Sequence, residues 1–271
     1  MRKRTCAVPE AAPAVPPAPP AAARLKRLTG LAVLVALLVV SYRQVDFNFL
    51  ALFDGSQDFF RFFGRMVPDF SAWKDIWPPL LDTIRIAYVS TLVGSLIAMP
   101  LIFLASANTS INPPVQWIAR TLLTILRSIP DLLWAALFVA VLGLSPLSGV
   151  FALIFFTVGV LAKLGSESVE AVDPGPLEAL RATGAGRNRT IIYAVVPQVA
   201  ATMMSYVLYA FEINVRASVV IGFVGAGGIG QTIQTFLNFF DYPGLGMLIL
   251  VVFIVVLAID GLSVWARSKL I

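Results

Sequence analysis

The sequence predicts an all-α integral membrane protein with six transmembrane helices and both the N- and C-termini cytoplasmic. Three observations carry this reading. Of 271 residues, 58% are hydrophobic and only 13% are charged, where a soluble domain carries about a quarter. The apolar residues fall in runs that fill, or overfill, a hydrocarbon layer of roughly 30 Å. Of the 20 basic residues, 11 lie at the chain start, in one internal island and at the chain end, positions that the positive-inside rule assigns to the cytoplasm, while the first outer loop is mixed in charge.

The first 27 residues, rich in alanine and proline, read as a disordered cytoplasmic tail. Arg24, Lys26 and Arg27 end it, directly before a first span over 28–42. The segment 28–75 is that span plus an external, aromatic-rich loop. There Phe59, Phe60, Phe62 and Phe63 interleave with charge, which fits either an amphipathic interfacial helix from Gln57 to Met66 or a loop in the aromatic belt.

The remaining spans belong to a body over 76–267. Residues 86–119 carry no charge and are too long for one crossing, so Asn108, Asn112, Pro113 and Pro114 divide a second span (Pro79 to Leu104) from a third starting near Val115. Pro130 kinks the third. Arg127 and Asp131, one helical turn apart, are placed to pair on one face. Gly143, Pro146 and Gly149 turn the chain into a fourth span, Val150 to Leu164. A fifth runs from Thr190 to Val224, and a sixth from Met247 to Trp265 after a glycine-rich turn and a loop ending near Gly246.

Several function classes are excluded or disfavoured. There is no histidine and only one cysteine, Cys6, so the commonest metal ligand and acid–base catalyst is missing and no intrachain disulfide can form. No catalytic constellation and no P-loop are present, so the chain is expected not to be an enzyme and not to hydrolyse ATP itself. The net charge of +5 follows topology and does not imply nucleic-acid binding. Gly225, Gly227, Gly228 and Gly230 lie in GAGGIG, a literal G-x-G-x-x-G. It follows a membrane helix instead of a strand, so a tight helix end and close helix approach replace dinucleotide binding as its meaning.

Intramembrane charge is costly and marks a site by default. Glu212 and Arg216, four apart in FEINVRAS with Asn214 between them, are therefore candidates for the translocation path, and equally for a structural ion pair. Asp82 and Arg85 read as a helix-end pair.

The island over 173–189 organises the rest. Asp173, Pro174, Gly175 and Pro176 start a short helix, Leu177, Ala179 and Leu180 give it an apolar side, and Gly184 to Gly186 stop it. Glu178, Ala179, Leu180, Gly184 and Pro197 resemble the E-A-A, glycine, I-x-L-P signature of type I ABC importer permeases; Leu180 replaces the second alanine, and Ala194 and Val196 replace the Ile and Leu. In that family the loop is a coupling helix that docks on the ATPase. RSIPDLLWA (127–135) and the run 195–231 resemble permeases of phosphonate importers, the PhnE family, whose relatives also carry phosphate or phosphite.

The resemblance implies type I ABC importer permease architecture in a bacterial cytoplasmic membrane, a second copy of the chain, two ABC ATPase subunits holding ATP and magnesium, and an extracytoplasmic substrate-binding protein. No cofactor is expected in this chain. Arg216 and Arg127 are then expected to supply positive potential to a passing oxyanion. The alternatives are a type I permease for methionine or a quaternary amine, and a non-transporting membrane scaffold.

Overall fold

The computed structural model describes residues 21–44 and 56–270, with side chains from 26 and from 60 onward. Cys6, most of the alanine- and proline-rich tail and the loop between 44 and 56 lie outside the described residues. The described residues fall into two compact units divided between Phe60 and Arg61. In the first, α1 (Ala21–Gln44) is an apolar helix whose described side chains are all exposed. It begins at Ala21, so 21–27, expected to be disordered, are helical. Helix α2 (Ser56–Arg65) crosses the divide and realises the amphipathic alternative.

The regular elements among the described residues of the second unit are all helical. A single 3₁₀ turn (Phe70–Ala72), capped by the Asp69 carboxylate accepting from Ser71 N at 2.9 Å, leads into α3 (Trp73–Ala105). The Ser71 hydroxyl, donating to the other Asp69 oxygen at 2.7 Å, and this backbone N–H together hold the Asp69 carboxyl below its ordinary range. Helix α3 starts well before Pro79, the expected boundary, and carries Pro78 and Pro79 in its second turn, where each gives up one i→i−4 bond.

Helix α4 (Pro113–Ser128) has the expected break before it: Asn112 accepts from Val115 N at 3.0 Å and proline opens the first turn. Helix α5 (Asp131–Leu142) follows at an angle of 86°. The expected kink is thus a full break, because Pro130 forces extended backbone on Ile129 (φ −94°, ψ 118°). The break also corrects the Arg127–Asp131 expectation. They sit on different helices, Asp131 turns back to cap Leu132 N at 2.9 Å, and no ion pair joins the two.

Helix α6 (Pro146–Glu170) is the central packing element against α3. Small residues permit the approach: a Cβ on Gly94 would lie 2.7 Å from Thr157 Cβ. After it come α7 (Pro174–Ala182), α8 (Arg187–Thr190), a π turn (Ile191–Val195) and α9 (Val196–Gly222). The wide turn precedes Pro197, which has no N–H; Val196 N instead reaches back to Ile191 O. Helix α10 (Ile229–Asn238) lies in the stretch read as loop, and α11 (Tyr242–Leu270) ends the described chain. The loop reading failed because IGQTIQTFLN is short and mostly polar. It folds by burying Ile229 beside Ile76 and Leu248. Among the described residues, five helices are long and apolar enough to cross a membrane, or six if α4 and α5 count as one broken span.

Candidate functional site

The end of the bundle that carries the charged island is built around α7. The Asp173 carboxylate accepts from Gly175 N at 3.0 Å and Pro174 fills the first turn. Termination falls at Gly184, φ +79°, where Ala185 N donates to Leu180 O at 3.1 Å. Leu177 is buried to 4% exposure among Ala194, Val195 and Val199, with Leu180 packed beside it. Glu178 and Ala179 point away from this cluster and are exposed. Ala179 is therefore not on the packed side, as its apolar character suggested; at 100° per residue it lies beyond the stripe that Leu177 and Leu180 share.

This short helix is tethered to the turn between α3 and α4. Arg181 donates to Asn108 O at 3.1 Å and Arg187 Nε to Thr109 O at 2.6 Å. Glu170, the last residue of α6, accepts from Ala107 N at 2.6 Å and from the Arg120 guanidinium, whose Nε donates to Ala105 O at 2.9 Å. The direct bond from α7 to this turn is that of Arg181, since Arg187 opens α8; the Ala107–Glu170–Arg120 bonds in turn join the same turn to α4 and α6. Pro197 follows as the first-turn proline of α9.

Two charge clusters of three or more groups involve α9 among the described residues. On one side Glu212 of α9 accepts from Arg216 through one oxygen and from Arg267 of α11 through the other, at 2.8 Å for Arg267; Asp260 of α11 lies 3.7 Å from Arg216. Two acids and two bases balance. On another side a recess of about 310 Å³ is lined by Arg127, Lys163, Glu167 and Tyr209, with Val160, Leu164 and Ile213. There Lys163 pairs with Glu167 at 2.8 Å, and among the described residues no acidic group pairs with Arg127.

Asn214 belongs to neither cluster. It is fully buried on the opposite face of α9 and donates to Thr91 Oγ1 at 2.8 Å and Thr157 Oγ1 at 2.7 Å, joining α3, α6 and α9. Its Oδ1 has no partner.

The glycine turn lies at the other end of α6. Gly225, Gly227 and Gly228 all have positive φ (+88°, +80° and +71°). A Cβ on Gly227 would lie 3.0 Å from Pro146 Cγ, and one on Gly230 would overlap Val219 O and the Gly222 backbone. Ile229 N, freed by the turn, donates to Thr83 Oγ1 at 2.8 Å. Asp82 and Arg85 pair at 3.2 Å on an exposed surface. Among the described residues no cluster of His, Cys, Asp and Glu is arranged to hold a metal.

Sequence reasoning missed Lys163, Asp260 and the Arg120–Glu170 tie. The signal was available for the first two. Asp260 is the one charge between Tyr242 and Ala266, and Lys163 the one charge between Leu132 and Ser166, so each is an intramembrane charge of the kind that marks a site.

Residues 91–270 match the protein family described as binding-protein-dependent transport system inner membrane component. The chain is 38% identical over 241 residues to the phosphate-import permease protein PhnE of Mycolicibacterium smegmatis, covering 88% of this chain and 45% of that protein. It thus spans under half the length of that relative. It is also 38% identical over 198 residues to the phosphite transport system permease protein PtxC of Stutzerimonas stutzeri, covering 73% of this chain and 72% of that protein. Its fold is similar to a chain of the inward-facing MetNI methionine ABC transporter, with a TM-score of 0.66, 17% identity, and coverage of 75% of this chain and 99% of that one.

Proposed function

The chain belongs to the family of binding-protein-dependent transport system inner membrane components, and on that premise we propose that it is the permease subunit of an ATP-driven importer for a phosphorus oxyanion. Phosphate, phosphite and phosphonate share a tetrahedral, anionic head, and the first two are named for the relatives at 38% identity. The single observation that carries the coupling half of this reading is the build of α7. One side is anchored by Leu177, while Glu178 and Ala179 face outward, free to meet a partner.

Two copies of the chain form the pore in this reading, and two separate ATPase subunits, carrying ATP and magnesium, sit against the α7 end on the cytoplasmic side of a bacterial inner membrane. An extracytoplasmic binding protein delivers the solute to the glycine-turn end. Closure of the ATPase pair pushes α7, and Arg181, Arg187 and the Arg120–Glu170 tie pass that displacement to α3, α4 and α6. The chain hydrolyses nothing; its work is alternating access.

The test is ATP-driven uptake of labelled phosphate into vesicles carrying the whole assembly, with phosphite, a phosphonate, methionine and glycine betaine as competitors. Competition by the phosphorus compounds alone is the expected result. Competition by methionine or glycine betaine alone would replace the substrate, and absence of ATP-driven flux would leave a scaffold role.

A further inference from the structure

We infer that Lys163 and Arg127 form the oxyanion transit site of this permease, with Glu167 as a built-in stand-in for the solute; the inference rests on the phosphorus-oxyanion reading above. The starting point is an imbalance. The recess between α4, α6 and α9 gathers two cations and one carboxylate, whereas the Glu212–Arg216–Asp260–Arg267 cluster is neutral. A neutral, internally satisfied cluster offers a passing anion little. A recess with one excess positive charge attracts it.

The recess is also placed and shaped for the task. Lys163 lies about 10 Å along α6 from Glu170 at the island end. Arg127 lies deeper, and its stem is admitted by Gly159, where a Cβ would come 3.0 Å from Arg127 Cγ. The two cations thus mark successive levels along one helix. Exposing such cations to lipid is costly. This face is therefore turned to water or to protein, as a path between two copies requires. A volume of about 310 Å³ exceeds what one tetrahedral phosphorus oxyanion fills. Arg127 offers a planar fork of donors, Lys163 a mobile point charge, and the Tyr209 hydroxyl one further donor.

Glu167 explains how the site is kept from holding its cargo. It bonds Lys163 at 2.8 Å one turn away on the same helix, and both side chains are about half exposed. An arriving oxyanion displaces the carboxylate from the ammonium, and the carboxylate recaptures Lys163 when the anion leaves toward the island end. Binding is then weak enough for release, which transport demands.

Cells lacking this chain and starved of phosphorus provide the test, restored with wild type, Lys163→Gln, Lys163→Arg or Glu167→Gln, with the amount of chain in the membrane measured for each. Uptake of labelled phosphate, phosphite or a phosphonate is read as an initial rate per chain. Lys163→Gln is expected to lose roughly tenfold or more in rate, Lys163→Arg to recover most of it, and Glu167→Gln to exceed wild type. Comparable losses in Lys163→Gln and Glu167→Gln would mean that the pair only braces α6, and would overturn the inference. Wild-type rescue of none of the three solutes would instead overturn the substrate reading, and the inference with it.

Discussion

Two charge clusters that involve α9 are built on different terms. Between α9 and α11, Glu212 takes one guanidinium on each oxygen, and Asp260 waits 3.7 Å from Arg216. Between α4, α6 and α9, Arg127 and Lys163 share a recess with a single carboxylate. Glu212 is only 13% exposed, while Lys163 and Glu167 are 43% and 55% exposed. The first cluster has the build of an interlock that keeps α11 on α9; the second has the build of a place where something charged comes and goes. Equal chemistry in a membrane helix therefore does not mean equal purpose, and the balance of partners separates the two.

The comparison can be broken most sharply at Glu212. Glu212→Gln leaves two guanidinium groups without their shared carboxylate; with Arg216 half exposed, the cost is at most about the 3–5 kcal/mol of breaking a fully buried pair. A large fall in the melting temperature of the purified assembly is the expected outcome; an unchanged melting temperature would dissolve the interlock. Next in size is Leu177→Ala. Truncating a buried leucine costs roughly 2–5 kcal/mol, and here the loss falls on the seat of α7. ATP hydrolysis is expected to continue while uptake falls, measured side by side in the same vesicles. Gly184→Val puts a β-branched residue at φ +79°, at a cost of about 1–2 kcal/mol. A smaller uncoupling of the same kind should follow. Asp260→Asn sharpens the picture at the low end. Its Oδ1 is buried without a hydrogen-bond partner, and at 3.7 Å from Arg216 it should contribute no more than about 1 kcal/mol.

Much of this was legible in the sequence for a physical reason. Apolar runs, prolines and glycines act through the local chain, so the spans, the break around Pro113 and the short helix ending at Gly184 could be read directly. The positive φ of Gly225, Gly227 and Gly228 likewise follows from a turn that other residues resist. What failed was reasoning about neighbours. The four-residue spacing of Arg127 and Asp131 promised a pair only if one helix held both, and Pro130 removed that condition. Glu212 and Arg216 do pair, as spacing suggested, yet their partners Asp260 and Arg267 come from another helix, which no local pattern reveals. Asn214 shows the same limit. Its neighbours in sequence placed it with the charges, while the helical period turned it to Thr91 and Thr157.

The contrast between the two clusters comes down to Arg127 against Arg216. The decisive measurement is ATP-driven phosphate uptake into vesicles carrying the purified assembly with either Arg127→Gln or Arg216→Gln, alongside its melting temperature. The account predicts that Arg127→Gln loses roughly tenfold in uptake at an unchanged melting temperature, whereas Arg216→Gln lowers the melting temperature and moves uptake per intact assembly little. Normal uptake in Arg127→Gln, with uptake lost in a fully stable Arg216→Gln assembly, would contradict it and put the path on the α9–α11 side.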